Sequence, residues 1–269
     1  MTGILLTPAQ TEIFYPTEDG KPLAESYDHL QVIFTIFAVL TQYLQGQQAT
    51  VLSNQFLYYI QHNPRARVAP DVMVIFDVAP GGRQNYKIWE EGQSPRVIFE
   101  ITSPGTRSED TGFKYSLYEQ MGVEEYWLFD PKGEWIPEKF KGYYLQDVVV
   151  AGSDETIYLP IKDGISQALQ LRLQIEEKLI GFYRLDTGEK LLIPDELLAA
   201  LENQKVTVET QRVALESERS ARVVAETEAQ REKLRIQQAI PKLRELGLSL
   251  EQIAATLGSS VEEIQQWLP

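Results

Sequence analysis

The chain has 269 residues, 43% hydrophobic and 24% charged, with no cysteine and a formal net charge of −14. That supplies one domain of about 150–200 residues with a full core, plus an appendage. It excludes disulfide frameworks, thiolate zinc sites, iron–sulfur clusters and cysteine nucleophiles, and its acidity argues against a generic nucleic-acid coat protein.

Residues 1–10 lack the basic start and long apolar run of an export signal. Residues 22–44 read as a helix, with Leu30, Ile33, Phe34, Phe37, Leu40 and Leu44 near helical spacing. Its apolar stretch, residues 32–40, is about half the length of a membrane span. A cytoplasmic protein without a membrane partner is expected. After Gly46, residues 49–60 form a predicted strand, rich in β-branched and aromatic side chains. Residues 71–78 are almost continuously apolar, as in a central strand. Gly81-Gly82 marks a turn, and residues 86–89 a short strand or excursion. Residues 96–102 make another strand. Residues 108–121 make a helix that stops at Gly122. A strand over 125–129 closes at Asp130-Pro131, and short strands follow at 143–150 and 156–159. The order helix, strand, strand, strand, helix, strand implies an α/β fold, a mixed sheet flanked by helices. Composition changes near Pro194-Asp195, dividing the chain into a domain at 1–194, a long charged helix at 195–246 and a two-helix module at 247–269.

Two acids stand where the local pattern asks for apolar residues. Asp71 opens the strand Val72-Met73-Val74-Ile75, and Glu100 lies inside Val97-Ile98-Phe99-Glu100-Ile101. A buried carboxylate needs a cation, a metal or several donors. Each acid would either pair with an arginine or sit at a sheet edge, or the two would share a site. Lys114 is the cation next in line. It either pairs with Asp110 one helical turn earlier or brings its ammonium to a metal held by Asp71 and Glu100. With only His29 and His62 in the chain, such a metal would rest on oxygen ligands, which suit Mg²⁺ or Mn²⁺.

Pro70-Asp71, then Phe99-Glu100-Ile101-Thr102-Ser103-Pro104-Gly105-Thr106, then Lys114 with Tyr118, then Gly122-Val123-Glu124-Glu125-Tyr126-Trp127-Leu128-Phe129-Asp130-Pro131, resembles the Uma-two family. That family is abundant in cyanobacteria and is assigned to the PD-(D/E)xK restriction-endonuclease-like superfamily. The resemblance covers about residues 15–165. It implies a restriction-endonuclease-like fold and Mg²⁺- or Mn²⁺-dependent hydrolysis of DNA phosphodiester bonds. Asp71 and Glu100 would be metal ligands, joined by the backbone carbonyl of Ile101, and Lys114 would be the catalytic cation. The pattern departs at one position: the superfamily lysine two residues after the second acid is here Thr102. Lys114 would replace it from the following helix, with Lys87 as a weaker substitute.

Glu25 and His29, four apart on the first helix, form a further candidate pair for the metal site. The alternative for His29 is a capped or core histidine. His62, beside Asn63-Pro64, is expected in an exposed loop. Ser103 and Thr106 would cap the helix carrying Lys114.

In the tail, Leu201, Val208, Leu215, Arg222, Ala229, Ile236 and Leu243 recur every seven residues, but the partner row is polar. This seam allows a homodimeric coiled coil or a solvated helix. Residues 248–268 resemble a helix-turn-helix with caps at Ser249 and Ser260 and a turn at Gly258. Its second helix carries no basic residue, which favours protein contact over DNA reading. Ile253, Leu257, Ile264, Trp267 and Leu268 are expected to be exposed there and covered by a dimer. The leading reading is a DNA endonuclease. The other is a catalytically inactive scaffold of the same fold, acting through the C-terminal helices. A cluster of Arg65, Arg67, Arg83, Arg96 and Arg107 beside Asp71 would favour the enzyme.

Overall fold

The computed structural model describes residues 13–20, 26–103, 105–150 and 153–268. The chain divides into two compact units, one up to Leu198 and one from Ala199 onward. Among the described residues, no helix is long and apolar enough to cross a membrane.

The first unit opens with α1 (Tyr27–Tyr43), capped by the Ser26 hydroxyl, which accepts from the His29 amide. Strands β1 (Ala49–Leu52), β2 (Leu57–Tyr58), β3 (Arg67–Val68), β4 (Val72–Phe76) and β5 (Tyr86–Lys87) follow, then the single turn α2 (Ile88–Glu91) and β6 (Val97–Ile101). A π-helical turn (Glu109–Phe113) runs into α3 (Lys114–Gln120), and β7 (Glu125–Phe129), β8 (Phe140–Val150) and β9 (Ser153–Ile161) complete the main sheet. A second sheet consists of β10 (Ile165–Ser166), β11 (Leu171–Glu176), β12 (Leu179–Arg184) and β13 (Lys190–Leu191).

The main sheet has the order β1-β4-β6-β7-β8-β9. Only β6 and β7 run parallel. A parallel pair needs a crossover, and the π-turn with α3 supplies it. Side chains alternate across β6. Phe99 and Ile101 pack with Val32, Ile36 and Leu40 of α1 and with Leu171 and Phe182 of the second sheet. Ile98 faces the other way, against Tyr118 of α3 and Tyr126 of β7. Full burial of one such large side chain contributes about 1.5–3 kcal/mol, so both faces resist displacement of β6.

The predicted strand over 49–60 is in fact two. β1 pairs with β4, whereas β2 joins β3 and β5 in a third sheet. The break falls at Asn54, whose left-handed φ of 52° few residues adopt as readily as asparagine. Its amide donates to the carbonyls of Pro70 and Asp71, which fixes the chain just ahead of β4. The strands β10 to β13 were not anticipated. β10 and β13 have only two residues each, and buried apolar side chains in β11 and β12 are few: Leu171 and Leu173, Ile180 and Phe182.

The long helix α4 (Pro194–Glu245) is followed by α5 (Leu250–Leu257) and α6 (Val261–Gln266). Capping boxes at Ser249/Gln252 and Ser260/Glu263 start the short helices, and Gly258 ends α5 with φ 68°. The expected exposure of their apolar residues is wrong. Ile253 and Ile264 are fully buried, and Leu257, Trp267 and Leu268 partly so, because both helices fold against Ile240 and Leu243 near the end of α4. A third helix gives the pair its core without a second chain. Leu201, Val208 and Leu215 remain exposed along α4.

Candidate active site

Asp71 immediately precedes β4, where the register Val72↔Phe99 carries it to the level of Glu100 on β6. Its Oδ2 accepts from the Ile101 amide at 2.7 Å, so β6 itself aims the carboxylate. The Nε2 of His29 on α1 lies 3.5 Å from the same oxygen. Both residues are nearly buried.

Glu100 is 1% exposed on the α3 side of β6. Its Oε1 accepts from the Tyr118 hydroxyl at 2.7 Å, and its Oε2 pairs with Lys114 Nζ at 2.9 Å. The same ammonium lies 3.0 Å from Asp110 Oδ1. Lys114 therefore makes the expected pair with Asp110 and reaches Glu100 as well. Asp110 is as buried as Glu100. Neither of its carboxylate oxygens has a well-aligned hydrogen bond, with Lys114 and the Thr106 hydroxyl as the nearby donors.

A regular helix was expected from residue 108, and the first turn is instead π-helical. The Lys114 amide reaches back five residues to the Glu109 carbonyl, while the Asp110 carbonyl accepts from the Tyr126 hydroxyl at 2.9 Å. Gly112 inside this turn weakens the preference for a tight α-turn. The wider turn and the Tyr126 tether hold Asp110 and Lys114 together beneath Glu100.

Two buried carboxylates, Glu100 and Asp110, thus face one buried lysine, with Asp71 nearby. Burial pushes Glu100 up to about 8, opposed by Lys114 and reinforced by Asp71 and Asp110. Burial also raises Asp110, against the pull of Lys114. For Lys114, burial acts downward, but Glu100 and Asp110 outweigh it and hold the ammonium above its ordinary range. Burial keeps Tyr118 a neutral donor.

Among the described residues, no group of three His, Asp or Glu side chains is arranged to hold a metal ion. Mg²⁺ commonly takes only one or two carboxylates, with waters and substrate oxygens completing its shell. The excess of buried negative charge around Asp71 and Glu100 fits such a hard cation. Ile101 lines a small cavity of about 40 Å³ with His29, Thr102 and Asp130. Among the described residues, the buried Thr102 hydroxyl has no hydrogen-bond partner there.

Glu25 lies outside the described residues. Lys87 pairs with Glu90 at 3.0 Å and sits over the Tyr15 ring, so it takes no part in the Glu100 cluster. His62 is exposed, as expected. Of the five arginines, Arg83 is tied to Glu91, and Arg96 to Asp77 and Glu124 beyond the far end of β4. Arg67 lies over Phe56. Arg107 lies 5.6 Å over Trp135, which lines the small cavity. Asp130 has a structural role: its carboxylate accepts from the amides of Lys132, Gly133, Trp135 and Ile136.

A larger cavity, about 650 Å³, is lined by Glu124, Glu125, Tyr144 and Lys162 and contains none of the clustered acids. The buried Glu125 at its wall is satisfied by Trp127, Ser166 and the Ala168 amide. Sequence reading offered the Lys114–Asp110 pair, from its four-residue spacing, only as the alternative to a Glu100 site and not together with it.

The first unit is thus an α/β mixed sheet flanked by helices, with one acid just ahead of β4, another on β6 and a cation on the crossover helix. The profile of the Uma2 family, described as "Putative restriction endonuclease", matches residues 11–171. The chain belongs to that family. Among solved structures, it is similar to a "putative nuclease belonging to DUF820" from Anabaena variabilis, at 16% identity and a TM-score of 0.40, over 59% of this chain and 83% of that one. No curated protein matches it.

Proposed function

We propose that this chain is a Mg²⁺- or Mn²⁺-dependent endonuclease that hydrolyses DNA phosphodiester bonds in the cytoplasm. Asp71, Glu100 and the Ile101 carbonyl would hold the ion. The observation that carries the reading is Lys114 Nζ at 2.9 Å from Glu100. The cation missing from the strand at Thr102 is supplied by α3. Family membership supports the reading independently.

When bound, the ion would lower the pKa of a water and offset charge developing on the phosphate. The chain contributes orientation and a fixed positive charge. The Ile101 amide aims Asp71, and the Tyr118 hydroxyl aims Glu100. Lys114 stays protonated, so its ammonium is available to a phosphoryl oxygen in the transition state. His29, beside Asp71, orients that carboxylate. Glu25, one residue ahead of Ser26 in the chain, is proposed to join the same site. We further propose that two chains associate through the exposed Leu201, Val208 and Leu215 of α4.

Incubation of purified protein with supercoiled, linear and single-stranded DNA, with and without Mn²⁺, tests the reading. Metal-dependent cleavage that Asp71→Asn abolishes supports it. Failure both to bind Mn²⁺ and to cut any substrate overturns it. The scaffold reading, the same fold without turnover, is favoured by Arg83 and Arg96 being bound to acids rather than free for phosphate.

A further inference from the structure

Lys114 bridges two buried acids, and only one of them belongs to the proposed metal site. Both oxygens of Glu100 are already taken, one by the Tyr118 hydroxyl and one by the Lys114 ammonium. A divalent ion on Glu100 would share these oxygens with the two donors already there, because each carboxylate oxygen has two lone pairs. Of the two, the ammonium is the one it repels. Released into the interior with no carboxylate, that ammonium would be strongly disfavoured.

We propose that Lys114 acts as a resident cation on Glu100, and that Asp110 is the positioning residue that keeps the ammonium when a divalent ion takes Glu100. The inference rests on the metal-site reading above and adds to it the fate of the lysine. Asp110 already lies 3.0 Å from the same Nζ, so the exchange requires only that Lys114 release Glu100. The π-turn and the Tyr126 hydroxyl fix the backbone of Asp110 in place. Among the described residues, its buried carboxylate has no better-aligned partner that would compete for it. The ammonium is thereby retained next to the ion, where a catalytic cation is needed.

Calorimetric titration of the full chain with Mn²⁺ tests this through a double-mutant cycle, without relying on activity. Asp110→Asn is expected to weaken Mn²⁺ binding by about tenfold or more, because Lys114 then has only Glu100. Lys114→Met is expected to bind Mn²⁺ at least as tightly as the wild type. In the Lys114→Met background, Asp110→Asn should change affinity by no more than about threefold, since no ammonium remains to be held. Asp110→Glu, which keeps the charge, should restore binding. An equal loss from Asp110→Asn in both backgrounds would mean that Asp110 acts only through its charge, and overturns the inference while leaving the metal site standing. Unchanged affinity in Asp110→Asn overturns it as well. Absence of Mn²⁺ binding in the wild type overturns the metal-site reading and this inference together.

Discussion

Lys114 on α3 and Glu100 on β6 meet at 2.9 Å, although the strand itself carries a threonine at the position where a lysine would be expected. The pair is possible because Glu100 faces α3 and not α1. The crossover between the parallel strands β6 and β7 then lays Lys114 directly over it. A cation placed on a helix in this way can change partners without disturbing the sheet.

If Asp71 and Glu100 are the ligands, Asp71→Asn and Glu100→Gln each abolish Mn²⁺ binding in calorimetry while the circular dichroism spectrum stays unchanged. Retention of binding in both variants rules out the assignment.

Lys114→Ala should cut cleavage by about 10²–10³-fold, the usual cost of losing one transition-state donor, with Mn²⁺ affinity preserved. Single-turnover kinetics at saturating metal measure it. A variant that still cleaves at the wild-type rate would exclude Lys114 as the catalytic cation.

The raised pKa of Glu100 has a consequence for stability. A carboxyl held near 8 in the folded state and near 4.5 in the unfolded state keeps its proton preferentially when folded. Its contribution is therefore full below about pH 4.5 and disappears as pH rises through about 8. Without metal, Glu100→Gln should melt close to the wild type near pH 5 and progressively above it toward pH 9. A melting difference independent of pH would show that Glu100 is already ionised at the lower end.

Asp130→Ala removes an acceptor shared by four backbone amides. Hydrogen bonds to a charged acceptor contribute about 1.5–3 kcal/mol each and are not additive, so a total loss of about 3–4 kcal/mol is expected. Urea unfolding measures it. A loss below 1 kcal/mol, on the order of an ordinary surface change, would show that solvent replaces the carboxylate without difficulty.

Sedimentation tests the association proposed for α4. The full chain should form a dimer at tens of micromolar, and Val208→Glu with Leu215→Glu should return it to a monomer. A wild-type monomer at that concentration excludes the α4 seam. The α5–α6 pair should stay folded in either case, because Ile253 and Ile264 are covered by the same chain.

Much of the fold was legible in one dimension. The apolar run ahead of Phe76, the strand over Glu125–Phe129 and the stop at Gly122 gave the central strands and the crossover, because burial on both faces leaves a continuous hydrophobic signal. Asp71, Glu100 and Lys114 stood out for the complementary reason: charge within such a run is costly unless it is matched. Other features required the folded chain. Asn54 hints at a break in the strand, but only the carbonyls of Pro70 and Asp71, which claim its amide, make it one. The π-turn depends on Tyr126, a residue from the next strand, capturing the Asp110 carbonyl. The burial of Ile253 and Ile264 depends on a helix end that contributes Ile240. Sequence determined which groups had to be buried and which of them would then need a partner. Only the tertiary structure decided which partner each received, because β6, the crossover helix and α1 bring residues distant in the chain within hydrogen-bonding range, and no local periodicity encodes that proximity.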